Sequence, residues 1–203
     1  MGVGVVALLI VFQQEIRRFF MLLSNKYLSK LNFSFKNILP FFSDDEPSVK
    51  IWSIVKACSS LSKTKTGALI VIVRESELYT IIDTGIKLDA NTSSQLINNL
   101  FFKNSPLHDG AVIIKNDKII AAGCILPVSE KDVRHEDFGL RHRAALGIVE
   151  QTDAVVVVVS EQTGNISLFY SSAYQKDISI TDLRKKLEYF FLDKTEEDTE
   201  IKK

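Results

Sequence analysis

Residues 67–73 read GALIVIV, and this run of apolar, largely β-branched side chains decides the fold. A strand with one face in water alternates polar and apolar residues, whereas a continuous apolar run is typical of a strand buried on both faces. Residues 154–159, AVVVVV, show the same pattern. Strands of this kind need helices on both faces of their sheet, so the sequence predicts an α/β protein.

Eight further segments surround these two strands. Apolar runs predict strands at 78–82, 111–115, 119–126 and 166–170, with a tight turn at 116–117 between the middle two. Apolar residues at helical spacing predict helices at 49–65, 91–102, 140–150 and 178–192. We therefore expect residues 49–192 to form a single globular domain with a central mixed β-sheet flanked by helices.

Composition and charge exclude several classes of protein. The 203 residues are 46% hydrophobic, and 25 basic side chains balance 25 acidic ones. The apolar content excludes wholesale disorder, and the zero net charge argues against a protein that coats nucleic acid, so no nucleic-acid partner is expected. Cys58 and Cys124 form no CxxC motif, which excludes a disulfide scaffold and a zinc–thiolate site. An anionic ligand must therefore be held by a local cluster of cations.

The first 48 residues differ from the rest. Residues 3–12 form an apolar run of ten, and a membrane-spanning helix needs about 20. The basic pair at 17–18 follows, as at the cytoplasmic end of a transmembrane helix. We interpret residues 1–31 as the end of a transmembrane helix and a juxtamembrane helix, although a buried helix of a soluble domain remains open. Residues 32–48 are predicted to be a linker, and residues 193–203 a charged tail.

The first candidate for chemistry is the stretch LHDGA, residues 107–111, at the start of a predicted strand. An Asp-Gly pair there is commonly just a turn. It also suits a nucleotide or metal site, because a carboxylate at a strand end is followed by a glycine that admits a ligand to the backbone. His108 beside Asp109 adds a second candidate ligand for Mg²⁺ or Mn²⁺.

The second candidate is the run GLRHR, residues 139–143, which opens a predicted helix. Cationic side chains at the positive end of the helix dipole are unfavourable unless an anion binds there. Backbone N–H groups and the forks of Arg141 and Arg143 would then converge on that anion, and a triphosphate fits well. The alternative is solvated surface arginines. Residues 160–164, SEQTG, follow a buried strand and give a weaker signal, since they are also a plausible polar turn.

Taken together, these segments resemble a diadenylate cyclase domain over about residues 50–175. The motifs DGA at 109–111 and RHR at 141–143 carry the resemblance, supported by residues 67–71, 104–114 and 160–164. Residues 5–18 are similar to the end of the last transmembrane helix in the membrane-anchored cyclase A class. On that resemblance the chain lacks most of its transmembrane region and is expected to be soluble, while the full-length protein lies at the cell membrane with its catalytic domain in the cytoplasm.

The resemblance implies that two ATP molecules condense into cyclic di-AMP with release of two pyrophosphates, using Mg²⁺ or Mn²⁺. It implies a homodimer in which two domains face each other and each supplies one ATP. A regulator protein and a phosphoglucosamine mutase are implied as partners. A nucleotide sensor that does not turn over and a plain α/β adaptor are the alternatives.

The resemblance also implies roles for individual residues. The catalytic residues would be Asp109, Arg141 and Arg143. The metal ligands would be His108, Asp109 and Glu161. The substrate would be bound by Gly110, Ala111, Leu126, Leu140, Arg141, His142, Arg143, Ser160 and Glu161, with Leu126 near the adenine.

Two positions depart from the family pattern. Leu140 stands where the family often has Thr, which removes one hydroxyl contact to the phosphates. Gln162 stands where the family often has Glu, which would alter metal handling if that carboxylate contributes to it. Because neither change touches the DGA or RHR motif, activity is still expected.

Overall fold

The structure is a computed structural model, and it describes residues 49–129 and 138–192. In chain order its elements are α1 (Ile51–Lys63), β1 (Ala68–Val73), α2 (Tyr79–Ile82), β2 (Ile86–Asn91), α3 (Ser94–Leu100), β3 (Ala111–Lys115), β4 (Lys118–Cys124), α4 (Leu140–Val149), β5 (Val155–Val159), β6 (Ile166–Tyr170), β7 (Ala173–Gln175) and α5 (Ile180–Phe191). The predicted regions 1–31, 32–48 and 193–203, together with residues 130–137, lie outside the described residues.

The described strands form one mixed sheet of seven, in the order β2-β4-β3-β1-β5-β6-β7. The central strand β1 is parallel to β3, with Ile70 opposite Val112, and antiparallel to β5, with Ala68 opposite Val159. All six residues of β1 and all five of β5 are buried. The predicted α/β class with a central mixed sheet is therefore confirmed.

Helices cover both faces of the sheet, because alternate side chains of each strand point to opposite faces. Ile70 and Ile72 of β1 pack in the core that also contains buried residues of α1, α3 and α5. Leu69 and Val71 point the other way, into the core formed with α4. Within residues 49–129 and 138–192, no helix is long and apolar enough to cross a membrane.

The sequence predictions of secondary structure differ from the structure in one segment type, in two element ends discussed below and in two missed strands. The segment 78–82, predicted to be a strand, forms the helix α2. None of the α2 residues is buried, although Leu78, which precedes the helix, is. The β-branched residues in this segment therefore did not indicate a strand. The strands β2 and β7 were missed because both are edge strands whose residues are largely exposed, so neither shows an apolar run. The helix predicted from residue 91 begins at Ser94, where the Ser93 side chain accepts a hydrogen bond from the N–H of Leu96. The strand predicted to reach residue 126 ends at Cys124.

Candidate functional site

The segments that carry the predicted site residues meet at one edge of the sheet. The parallel strands β1 and β3 begin there, and the antiparallel strand β5 ends there. Strand β4 also ends there, because Cys124 lies opposite Ala111. We call this the site edge, defined by Gly67, Asp109–Gly110, Ile125–Leu126 and Ser160–Glu161. Since β3, β1 and β5 are successive neighbours, two strand spacings, roughly 10 Å, separate Gly110 from Ser160.

Helix α4 begins beside this edge, and within the described ranges no side chain caps its first turn. Gly139 occupies the N-cap in an extended conformation, and there is no acidic residue in the first turn. Its carbonyl accepts hydrogen bonds from the N–H groups of His142 and Arg143, at 3.1 and 3.2 Å. The N–H groups of Leu140 and Arg141 precede the first intrahelical bond, so they are suited to an anion.

A cleft of about 400 Å³ lies between the start of α4 and the end of β5. This volume is within the range of small-molecule sites. The lining residues are Gly139, Leu140, Arg141, His142, Val159, Ser160, Glu161 and Gln162. The structure thus brings together five of the predicted site residues, which are Leu140, Arg141, His142, Ser160 and Glu161.

The Arg141 guanidinium is held in place within this cleft. Its Nη1 donates a hydrogen bond to Oε2 of Glu161 at 3.0 Å. Lys103 Nζ lies 3.5 Å from the other carboxylate oxygen of Glu161. The hydrogen bond from Arg141 is the largest cause that lowers the pKa of Glu161, and the charge of Lys103 adds to it. The carboxylate therefore stays ionised and keeps the arginine oriented.

Gly67 and Lys103 were missed by the sequence analysis. A Cβ added to Gly67 would lie 2.8 Å from Nη1 of Arg141, so the guanidinium lies directly against this glycine. The signal in the sequence was a glycine directly before a buried strand, at a position where no turn needs one. Nothing in the sequence around Lys103 indicates its contact with Glu161.

Asp109 has a different environment from the arginine. Its side chain is exposed, and it makes no hydrogen bond or ion pair with any residue of the described ranges. Next to it, Gly110 has a φ of +123°, and a Cβ there would lie 2.6 Å from the Gly123 backbone. A close approach of two strands therefore already requires this glycine, independently of any ligand. The ring of His108 is engaged locally, because its Nδ1 lies 2.6 Å from the carbonyl oxygen of Ser105.

Three predicted site residues, Ala111, Leu126 and Arg143, do not line the cleft, and a fourth, His142, lines it with a buried ring. Ala111 and Leu126 are buried in the apolar core next to α4. His142 is 6% exposed, and its ring stacks on Phe138 with centroids 5.0 Å apart. Arg143 is exposed, and its Nη2 lies 3.5 Å from the carbonyl oxygen of Ser129. Leu140, in contrast, lines the cleft and is 76% exposed.

The predicted metal set does not converge. Among the residues that the structure describes, no group of three or more His, Cys, Asp or Glu side chains is arranged to hold a metal ion. Glu161 is already paired with two cations, and one ring nitrogen of His108 contacts a carbonyl. These residues therefore do not fit a resident metal ion bound by the protein alone.

Turn contacts orient Ser160 at the end of β5. Its N–H donates to the carbonyl of Asn165 at 2.9 Å, and its Oγ accepts from the N–H of Thr163 at 3.2 Å. The hydroxyl hydrogen is left to donate into the cleft. Together with the uncapped helix start and Arg141, this gives the cleft several donors beside the Glu161 carboxylate, and donors of this kind bind phosphate.

Comparisons with known proteins agree with this chemistry. The family model described as DisA bacterial checkpoint controller nucleotide-binding matches residues 55–174. Cyclic di-AMP synthase CdaA of Bacillus subtilis is 38% identical over 188 residues, covering 93% of this chain and 66% of the relative. Diadenylate cyclase of Listeria monocytogenes is 40% identical over 187 residues, covering 90% and 64% respectively. The chain thus spans about two thirds of the length of these curated relatives.

Solved structures support the fold assignment. The crystal structure of DacA from Staphylococcus aureus has a TM-score of 0.66 and 43% identity, and the match covers 68% of this chain and 92% of that one. A Bacillus cereus structure, described as a hypothetical membrane spanning protein, has a TM-score of 0.62 and 38% identity, with 66% of each chain covered. The predicted resemblance is confirmed: the chain belongs to the DAC family, described as DisA bacterial checkpoint controller nucleotide-binding.

Proposed function

We propose that this protein is a diadenylate cyclase, which condenses two ATP molecules into cyclic di-AMP and two pyrophosphates. One observation carries the proposal: an arginine-lined cleft at a helix start lies on the same sheet edge as a carboxylate, Asp109, that has no partner in the described ranges. The first arrangement suits phosphate binding and the second suits proton transfer. The names of the relatives, cyclic di-AMP synthase and diadenylate cyclase, support the same reaction.

The triphosphate is bound in the cleft between α4 and β5. The Arg141 guanidinium, the first N–H groups of α4 and the Ser160 hydroxyl are donors that face this space. Leu140 offers no hydroxyl here, so its backbone N–H is its only polar contribution. Positive groups that are fixed before the substrate arrives also stabilise the charge that develops on the reacting phosphorus.

Asp109 receives the proton of the ribose 3′-hydroxyl. The 3′-oxygen forms a bond to the α-phosphorus of the second ATP, and the bond from that phosphorus to the leaving pyrophosphate oxygen breaks. The proton passes from the carboxylate to solvent. Two such steps, one in each direction, close the ring and release two pyrophosphates. An exposed carboxylate with no partner in the described ranges is free to take this role.

The reaction requires two copies of the domain. Each copy offers one phosphate cleft and one Asp109, and two strand spacings, roughly 10 Å, separate Gly110, next to Asp109, from Ser160, which lines the cleft. In a face-to-face homodimer the 3′-hydroxyl of each bound ATP is presented to the α-phosphate of the other. The rate should therefore depend on protein concentration.

A divalent cation, Mg²⁺ or Mn²⁺, enters as part of the substrate. Mg²⁺ in phosphoryl-transfer sites is commonly held by substrate phosphates and only one or two carboxylates. This agrees with the lack of a three-residue cluster within the described ranges. The cation bound to ATP neutralises part of the phosphate charge. The Arg141 guanidinium in the cleft stabilises the negative charge that is left.

The test is incubation of the purified chain with ATP and Mg²⁺ or Mn²⁺ at rising protein concentration, followed by chromatography for cyclic di-AMP. We expect product to appear with a steeper than linear dependence on protein concentration. ATP binding without product at high concentration would instead identify a nucleotide sensor. Absence of both binding and product would exclude both functions and leave the adaptor.

We also propose that the full-length protein lies at the cell membrane with this domain in the cytoplasm. The apolar run at residues 3–12 and the basic pair after it support this location, and a solved relative is described as membrane spanning. Fractionation of cells that express the full-length protein tests it. Recovery in the soluble fraction alone would contradict it.

A further inference from the structure

Gly67 is a glycine that backbone geometry does not explain. Its φ lies outside the left-handed region, so any L-residue could adopt the conformation. Space is the constraint instead, because an added Cβ would lie 2.8 Å from Nη1 and 3.0 Å from Cζ of Arg141. The next nearest atom, Cβ of Glu161, is 3.1 Å away. The guanidinium therefore lies where a side chain of residue 67 would be.

We infer that Gly67 is a positioning residue for Arg141, the arginine that we assign to ATP phosphate binding. The absent side chain leaves the space in which the guanidinium lies, and Glu161 fixes its orientation by a 3.0 Å hydrogen bond. The arginine is thereby set before the substrate arrives, which lowers the ordering cost of binding. The inference rests on the proposed function for the identity of the ligand, and on the distances alone for the positioning.

Substitution of Gly67 should affect binding much more than folding. The two nearest atoms belong to the end of the long, flexible Arg141 side chain, which can move away at small cost, and the third, the Cβ of Glu161, needs to shift by only a few tenths of an ångström. Gly147 shows the contrasting case, because a Cβ there would lie 2.2 Å from the backbone oxygen of Pro127, which cannot move freely. Gly67→Ala should thus leave the fold intact while it displaces the guanidinium from the cleft.

A double-mutant cycle on ATP affinity tests whether Gly67 acts through Arg141. The four proteins are the original chain, Gly67→Ala, Arg141→Ala and the double variant, with Kd for Mg²⁺–ATP measured by titration calorimetry. We expect Gly67→Ala to weaken binding roughly 10-fold on its own, as for a weakened charged hydrogen bond. In the Arg141→Ala background the same change should alter Kd by less than about 2-fold. Equal effects in both backgrounds would overturn the inference.

Crystal structures of the original chain and of Gly67→Ala provide a readout that does not depend on ATP. We expect the guanidinium to move by about 1 Å or more, since the 2.8 Å contact must lengthen to ordinary van der Waals distance. An unmoved guanidinium would overturn the inference even if the protein is an active cyclase. If the original chain fails to bind ATP, the proposed function is wrong, and the crystal structures alone decide the positioning.

The double variant also covers the outcome in which Gly67→Ala does not fold. Of the three atoms nearest to the added Cβ, two belong to the Arg141 side chain. Removing that side chain leaves only the third, the Cβ of Glu161, at 3.1 Å. The double variant should then fold, with a melting temperature within a few degrees of that of Arg141→Ala. Failure of both variants to fold would show that the crowding does not come from Arg141, and the inference would be wrong.

Discussion

The two edges of the same sheet treat their charged groups in opposite ways. At the edge where β5 begins, the Asp153 carboxylate accepts hydrogen bonds from the backbone N–H groups of Glu75 and Ser76, at 2.9 and 3.0 Å. At the site edge, Asp109 has no such partner within the described ranges, and α4 begins without a side-chain cap. Folding thus satisfies the Asp153 carboxylate at one edge with the protein's own hydrogen bonds and leaves the Asp109 carboxylate at the other edge for a ligand.

Within the site edge a second difference separates binding from chemistry. Arg141 is fixed by Glu161 and lies against Gly67, whereas Asp109 is exposed on a backbone that Gly110 fixes against the next strand. A group that binds phosphate gains from being set in advance. A group that accepts a proton must keep its carboxylate free until the substrate arrives. The two halves of the edge therefore suit the two roles in the proposed reaction.

Removing the carboxylate at the open edge should have the largest effect. Asp109→Asn should lower cyclic di-AMP formation by about 1,000-fold, within the usual range for loss of a general base. The Kd for ATP should change by less than about 3-fold, and the melting temperature should stay the same, because the side chain is exposed and makes no contact that the fold needs. Chromatography, calorimetry and thermal unfolding measure the three quantities.

Asp89→Asn is the matched control for that variant. Asp89 is also an exposed aspartate, paired with Lys118 at 2.9 Å, and its φ of +46° is one that asparagine tolerates well. Its activity should equal that of the original chain. If Asp109→Asn keeps full activity, or if both variants lose it alike, the assignment of Asp109 is wrong.

The next largest effect is expected from substitution of Gly110, which follows Asp109 in the chain. Gly110→Ala should lower the free energy of unfolding by about 3 kcal/mol, because the added Cβ meets backbone at 2.6 Å and φ is +123°. Gly139→Ala is the control, since nothing lies within 4 Å of a Cβ there, and it should cost no more than about 1 kcal/mol. Urea denaturation measures both, and a similar cost for the two would show that the strand below Asp109 is not rigid.

Much of this arrangement could be predicted from the sequence. The apolar runs of β1 and β5 identified the centre of the sheet, and the cations at 141 and 143 identified a helix start suited to an anion. These signals are local: composition and spacing within one element reveal them. The same holds for Asp109 before β3, where a carboxylate and a glycine stand together in sequence.

What could not be predicted depends on contacts between distant parts of the chain. The site edge exists because β5 runs antiparallel to β1, and a strand that is buried on both faces carries no signal for its direction. The contact between Gly67 and Arg141 joins residues from different elements, so neither position reveals it. His142 and Arg143 are neighbours in the sequence, yet His142 is buried and Arg143 is exposed. The helix directs successive side chains to different sides, and the sequence does not show which side faces the core.

Arg141 lines the cleft and Arg143 does not, so substitution of the two arginines should have different effects on ATP binding. Arg141→Ala should weaken ATP binding by about 30-fold, as for loss of a charged hydrogen-bond donor. Arg141→Lys should recover only part of this loss, because lysine lacks the planar fork. Arg143→Ala should weaken binding by less than about 5-fold, since Arg143 is not among the residues that line the cleft and its guanidinium contacts the carbonyl of Ser129. Equal losses for both alanine variants, measured by calorimetry, would mean that the cleft is not the phosphate site.

The smallest effect is expected at Asp153, at the edge of the sheet where β5 begins. It concerns the stability of the fold and the dependence of that stability on pH. Burial alone would raise the pKa of Asp153, but hydrogen bonds from Ser76 and the backbone of Glu75, with the charge of Arg74, outweigh it, and the net pKa is lowered. Asp153→Ala leaves two backbone N–H groups without this acceptor, at a cost of about 1–2 kcal/mol at pH 7. Urea denaturation of both proteins across pH measures the difference.

The sign of the pH dependence follows from the direction of that shift. A carboxylate whose folded pKa is lowered stabilises the fold fully above its unfolded pKa of about 3.9, and this contribution is lost as pH falls through the folded pKa. The difference between the original chain and Asp153→Ala should therefore be constant from about pH 7 to 5 and shrink below about pH 4. A difference that stays constant down to about pH 3 would mean that the charge of Asp153 does not strengthen its hydrogen bonds to the two N–H groups.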